Sequence, residues 1–194
     1  SAGYLCYYLF SKIRDLEKLD WLVACSCISD YCYIKPKDWL EEIFAKYKDN
    51  SNVLDLYTKK SGKFWEMQYT LSLALIYFKD DLKKFYDSIR VDFGEIGDLD
   101  KYAYEVQEEI ERIIGQFKVN REKFDLGWFF EFDPKFEVKS ITSSILSSSD
   151  KDKVFVIITP NNELYDVSVR KQDKKFNCSE FLQGILKGLE NADG

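Results

Sequence analysis

Val154-Phe155-Val156-Ile157-Ile158-Thr159-Pro160-Asn161-Asn162-Glu163-Leu164-Tyr165-Asp166-Val167-Ser168-Val169-Arg170 is the stretch that decides how this chain is read. Val154 to Ile158 is an unbroken apolar run and predicts a buried strand. Pro160-Asn161-Asn162 supplies turn chemistry, and the chain returns as Leu164 to Arg170. In that return strand Tyr165, Val167 and Val169 point one way and Asp166, Ser168 and Arg170 the other, because side chains alternate along a strand. Upstream, Leu126 to Phe132 reads as a further strand, Lys139 to Ser147 as a short helix, and Ser147-Ser148-Ser149-Asp150 as a loop. The region after Asn120 is therefore a small α/β domain with one polar sheet face.

Before Asn120 the period is helical. The chain enters a helix at once, with Tyr4, Leu5, Tyr8, Leu9 and Ile13 on one face. Leu19 to Ser29 is a mostly apolar segment read as a buried helix. Pro36 starts another, with Trp39, Leu40, Ile43, Phe44 and Tyr47 inward. Phe64 to Phe78 is apolar almost all round, as a buried central helix is, and Leu82, Phe85, Tyr86 and Ile89 follow Asp80 at helical spacing. After a loop from Gly94 to Asp100, Ala103, Val106, Ile110, Ile113 and Phe117 form one face of a long amphipathic helix that bridges the two parts.

Composition narrows the function classes. With 194 residues, 45% hydrophobic and 16% aromatic, the chain fills one or two cores, and disorder is excluded. The apolar run from Leu71 to Phe78 is too short to cross a bilayer and no signal-like segment opens the chain, so the expectation is a soluble, cytoplasmic protein that makes no membrane contact. A net charge of −6 argues against wrapping duplex DNA, which rests on clustered cations. Locally the balance reverses: Arg170 to Lys187 holds five basic residues (Arg170, Lys171, Lys174, Lys175, Lys187) against Asp173 and Glu180. Five cysteines without a secretory signal favour reduced thiols; Cys25, Cys27 and Cys32, with Cys6, lack the paired knuckles of a zinc site and are read as packing residues.

The chain closes on Asn177-Cys178-Ser179-Glu180-Phe181-Leu182-Gln183-Gly184-Ile185-Leu186-Lys187-Gly188-Leu189-Glu190-Asn191-Ala192-Asp193-Gly194. Asn177 can accept from the first-turn amides while Glu180 reaches back, and Phe181, Leu182, Ile185, Leu186 and Leu189 share a face. That ending resembles the C-terminal domain of the DHH phosphoesterases, the family of RecJ-type exonucleases and oligoribonucleases. There a comparable helix leads into a glycine-rich, histidine-bearing loop that receives the nucleic-acid end, and Gly194 matches its first glycine. The chain holds no histidine and begins Ser1-Ala2-Gly3, so it reads as an internal fragment. The resemblance implies an α/β chain: the helical C-terminal part of a DHH domain and linker helices over residues 1–118, then a truncated DHH-associated domain with a mixed sheet over 119–194.

Further residues carry the resemblance. Leu19-Asp20-Trp21-Leu22-Val23-Ala24-Cys25-Ser26-Cys27-Ile28-Ser29-Asp30 is similar to the family's fourth motif, L-D-x-x-A-x-G-T-x-x-D, whose final aspartate binds catalytic manganese. Asp30 inherits that metal-ligand and catalytic role. Cys25-Ser26 replaces the usual Gly-Thr, keeping small side chains where the backbone approaches the metals. Ser168-Val169-Arg170 matches a strand-end S-x-R whose arginine holds phosphate, a task suited to a guanidinium fork. Ser140 lies where related domains begin their first helix, as an N-cap and second as a substrate contact.

What the resemblance implies is a phosphodiesterase using two manganese (or magnesium) ions. It would act on single-stranded DNA, RNA or short oligonucleotides, with replication or repair proteins as partners. The Asp-His-Asp and Asp-His-His motifs that supply the other ligands are not in this sequence, so the chain by itself is expected to be inactive. The alternatives are a nano-RNase, cyclic-dinucleotide or phosphoadenosine phosphatase, and a non-catalytic replication scaffold descended from the family.

Overall fold

The computed structural model describes residues 1–54, 56–173 and 176–187, apart from the side chains of residues 57 and 58. The fold is α/β, with a mixed four-stranded sheet. The chain divides into two compact units, Ser1–Val106 and Gln107–Gly194. The division falls inside one continuous helix, α7 (Leu99–Asn120), because Tyr102 packs on Tyr77 and Phe78 of the first unit while Phe117 packs on Phe130 and Phe155 of the second. Among the described residues no helix is long and apolar enough to cross a membrane.

The first unit is helical: α1 (Ala2–Phe10), α2 (Asp20–Ser29), α3 (Lys37–Lys46), the short α4 (Leu56–Lys59), α5 (Lys63–Tyr77) and α6 (Leu82–Ser88), with a 3₁₀ turn over Glu17–Leu19. The apolar reading of Leu19 to Ser29 and Phe64 to Phe78 matches its two central helices, α2 and α5, which pack on each other. Trp21, Phe44 and Phe64 are buried, and Phe93 from the loop after α6 closes over them, with ring centroids 4.9 Å from Phe64, 4.8 Å from Tyr47 and 5.7 Å from Trp21. The Trp21 indole N–H donates to the Val91 carbonyl at 3.0 Å, so the buried indole is satisfied.

The start of α5 is capped from a distance. Gly62 offers no side chain there, and the buried Asp49 carboxylate instead accepts from the Phe64 amide at 2.9 Å and from the Ser51 amide and hydroxyl at 2.9 and 2.6 Å. Burial alone would raise that carboxyl, but these donors outweigh it and hold Asp49 below the usual carboxylate range. At the other end, α2 and α3 close with the same device: Cys32 N–H bonds Cys27 O and Asp49 N–H bonds Phe44 O, six residues back to one. The residue that must turn left-handed is Tyr31 in the first case and Lys48 in the second, both at φ 54°.

One helical expectation is corrected. Leu5, Tyr8, Leu9 and Ile13 do not form a buried face of α1; all four are exposed, and Ile13 lies beyond the helix. The packing face is instead Gly3, Tyr4 and Tyr7. The two tyrosines sit on Trp39 at 5.1 and 5.6 Å, and a Cβ on Gly3 would lie 2.5 Å from Ser26 Oγ of α2. Small residues at both positions set that approach.

The second unit carries β1 (Glu122–Phe124), β2 (Gly127–Glu131), α8 (Lys139–Ser149), β3 (Val154–Asn161), β4 (Leu164–Arg170) and α9 (Cys178–Leu186). Strand order is β1-β2-β3-β4; β2 and β3 are parallel across the α8 crossover, and the outer pairs are antiparallel hairpins. Pro160 is tolerated within β3 because the β2 register ends at Ile158, so only β4 pairs beside it. The expected Leu126–Phe132 strand contains β2, but β1 escaped the reading because Glu122-Lys123-Phe124 has too little apolar content to signal a strand. The Ser147-Ser148-Ser149 run is not a loop: it continues α8, with Ser147, Ser148 and Ser149 hydroxyls bonded back to the carbonyls of Ser144, Ser144 and Leu146. Leu189 and Gly194 lie outside the described residues.

Register fixes what each face meets. Phe155 faces Arg170, Ile157 faces Ser168 and Thr159 faces Asp166 across the β3/β4 pair, so the polar row of β4 shares its face with the buried residues of β3. Beneath β2 the backbones meet closely: a Cβ on Gly127 would lie 1.8 Å from the Val154 carbonyl oxygen. Gly127→Ala should therefore destabilise the sheet unit by about 2 kcal/mol or more, the scale of forced overpacking. Gly115→Ala, in exposed helix with open space around it, should raise stability by about 0.5–1 kcal/mol. Urea titrations followed by circular dichroism check both; an unaltered midpoint for Gly127→Ala would contradict the close approach.

Candidate functional site

The polar row of β4 lies under the first turn of α8. Lys139 Nζ reaches Asp166 Oδ2 at 3.2 Å, Arg170 Nη2 donates to Ser140 Oγ at 3.2 Å, and beyond the strand Gln172 Nε2 donates to Ser147 Oγ at 2.8 Å. Helix and strand are thus pinned at three points along their length. The neighbouring Lys139 holds the exposed Asp166 carboxyl below its ordinary range. Ser140 is not the N-cap: that position is Val138, which has no side-chain acceptor, and no side chain caps the helix start. Ser140 is a residue of the first turn, and its hydroxyl meets Arg170.

The start of α8 therefore combines amides that lack an intrahelical acceptor, the positive end of the helix, and two cationic side chains, Lys139 and Arg170. Arg170 Nε is buried without a hydrogen-bond partner among the described residues. Chemically, uncapped amides beside a guanidinium and a serine hydroxyl are groups that can receive an anion. Ser168 shares the face of Arg170 two residues earlier on β4. The structure brings Ser140 and Arg170 together; Lys139 and Gln172 escaped the sequence reading, although a lysine beside Ser140 at a helix start was a usable signal. Lys174, Lys175 and Gly194 lie outside the described residues.

The aspartates at the two ends of α2, Asp20 and Asp30, have opposite surroundings. Asp20 opens α2, is 1% exposed, and is met by Lys46 Nζ at 2.7 Å and the Tyr47 hydroxyl at 2.8 Å; Glu17 also reaches Lys46, at 3.0 Å. It is a structural charge, fully partnered. The Asp20 hydrogen bond raises the Lys46 ammonium above its usual range, while burial, reinforced by Asp20, pushes the Tyr47 phenol up to about 12. Asp30 closes α2, is exposed, and has no side-chain partner among the described residues. A carboxylate at the negative end of a helix is unfavourable unless a cation neutralises it. Its hard oxygen donors suit manganese or magnesium, and it can supply one ligand. Among the described residues no group of three or more His, Cys, Asp or Glu side chains could hold a metal.

Ser26, in the position aligned with the family's small pair, bonds the Val23 carbonyl at 2.8 Å and the Ser1 hydroxyl at 3.0 Å, and it lies under Gly3. Helix packing accounts for its size. Cys25 and Cys27 are buried, and burial pushes the Cys27 thiol up to about 11 and Cys25 higher still; Cys6 and Cys32 are exposed. Compared with protein-family models, with curated proteins and with solved structures, the chain matches none.

The buried phenol and thiols have measurable consequences. Tyr47 ionises less readily folded than unfolded, where its pKa is about 10. Its contribution to stability is then complete below about pH 10 and is lost as pH rises toward about 12. Tyr47→Phe should lower stability by about 1 kcal/mol through the lost hydrogen bond and flatten that part of the alkaline unfolding curve. A curve of the same steepness would exclude Tyr47 as the titrating group. At about pH 8, Cys6 and Cys32 should react with a disulfide reagent within the mixing phase and Cys25 and Cys27 only on unfolding; mass spectrometry of the labelled peptides reads the order.

Proposed function

We propose that this chain is the substrate-holding part of a metal-dependent phosphodiesterase of the DHH type, acting on single-stranded DNA, RNA or short oligonucleotides. One observation supports the reading: Arg170, which the resemblance assigns to phosphate, is hydrogen-bonded at the uncapped start of α8 to Ser140, which the resemblance offers as a substrate contact second to an N-cap. The resemblance drew them from positions thirty residues apart, and no pattern in either local sequence requires them to meet.

In this reading Arg170 receives a phosphate oxygen pair on its fork, Ser140 turns its hydroxyl from the guanidinium to the phosphate, and the α8 amides add fixed dipoles that need no reorganisation. Lys139 supplies local charge and, through Asp166, keeps α8 seated on β4. Asp30 would hold one divalent ion; when bound, such ions supply an activated water and neutralise phosphate charge. One carboxylate does not assemble a two-metal site, so the chain alone should release no nucleotides in manganese.

The test is binding. In calcium, with a fluorescent single-stranded oligonucleotide, Arg170→Ala should weaken affinity by about 1.5–3 kcal/mol, the range of charge-assisted contacts, and Arg170→Lys should recover only part. Asp30→Asn should leave that affinity unchanged in chelator. Equal affinity for the Arg170→Ala and unaltered chains, with circular dichroism unchanged, would remove Arg170 from recognition and the reading with it.

A further inference from the structure

Tyr31 stands in a backbone conformation that its side chain disfavours. It is the left-handed residue of the α2 terminus, φ 54°, a place where glycine escapes the clash between Cβ and the backbone that a bulky residue suffers. Tyr31 is 56% exposed, and its ring is tilted 51° to that of Tyr33, with centroids 6.4 Å apart. Tyr33 beneath it is 5% exposed and belongs to the core. The ring follows directly on Asp30, and the same short loop before α3 exposes Ile34 and Lys35. Lys48 carries the same strain, and what sets Tyr31 apart is its exposed ring.

We propose that Tyr31 is a stacking platform for a nucleobase of single-stranded nucleic acid. The proposal rests on the nucleic-acid reading above. An exposed aromatic ring beside a lysine is the pairing by which single strands are held without sequence preference: the base lies on the ring and the cation meets the backbone. Here Tyr31 offers the ring and Lys35, exposed in the same short loop, the cation, with the buried Tyr33 next to the ring. Lys48 occupies the identical position at the end of α3 and has no aromatic group, which makes it an internal control.

The experiment is a fluorescence-anisotropy titration of labelled oligothymidylate with the whole 194-residue chain, alongside thermal melts. Tyr31→Gly should bind about tenfold more weakly, the lower part of the range for one stacked base, yet melt about 2–4 °C higher because the strain is relieved. Tyr31→Phe should bind as the unaltered chain does. Lys48→Gly should melt higher with affinity unchanged. The proposal is overturned if Tyr31→Gly binds as tightly as the unaltered chain, if it melts lower, or if Lys48→Gly weakens binding equally. Weakening by Arg170→Ala with Tyr31→Gly silent would remove Tyr31 alone. A chain that binds no oligonucleotide would remove both this proposal and the reading it rests on.

Discussion

A carboxylate cut off from water has to be met by donors, and the helical unit is arranged around that requirement at Asp20. Lys46 and Tyr47 come from the last turn of α3 and its cap, so meeting Asp20 fixes how α3 lies against α2. The Tyr47 ring, held by its hydroxyl, then forms a wall of the aromatic cluster with Phe64 and Phe93. Phe64 in turn stands at the α5 start that Asp49 caps. Asp20 is the buried member and Lys46 reaches it from the surface, so removing either Lys46 or Tyr47 would leave a buried carboxylate short of a donor, which makes the contact a device for specifying geometry. The position of α2, and so of Asp30 at its far end, follows from this chain of contacts.

The sheet unit depends on a different constraint, the parallel register of β2 and β3. Parallel neighbours need a crossover, and α8 is that crossover; its length and the Gly127–Val154 approach place Lys139 and Ser140 above β4. On α7, Glu109 is hydrogen-bonded by Arg112 at 2.7 Å and by the Lys135 amide at 2.7 Å, which ties the loop after β2 to the helix that covers the sheet. That Arg112 contact, together with the amide, holds Glu109 below its ordinary pKa against the effect of burial. The chain entering α8 from β2 is thereby anchored before the helix begins.

Periodicity made the helices and the β3/β4 hairpin legible, because Val154 to Ile158 and the alternation after Leu164 have no competing reading. It failed where burial and pattern part. The polar sheet face of Asp166, Ser168 and Arg170 meets α8 at two of its three residues, Asp166 on Lys139 and Arg170 on Ser140, while Tyr165 on the apolar side of the strand is 61% exposed. In α1 the apolar stripe exceeded what the helix buries, and the small Gly3, which carries no hydropathy signal, marks the real contact. The serine run was read as a loop because its composition is that of one; hydroxyls bonded to their own helix carbonyls make it helical. The partners of Asp20 lie 26 and 27 residues away and share no motif with it.

The electrostatic surplus of the molecule is informative in a way that its net charge is not. Asp20, at the favourable end of α2, is met by Lys46, and Asp30, at the unfavourable end, lies in the field of the Ser1 ammonium. At α8 the start is uncapped, Lys139 is paired with Asp166, and Arg170 adds a guanidinium beside one serine hydroxyl. An acid at a helix start contributes some tenths of a kcal/mol or more. Helix α2 has that acid in Asp20, whereas α8 opens on Lys139, whose charge is offset by Asp166 of β4.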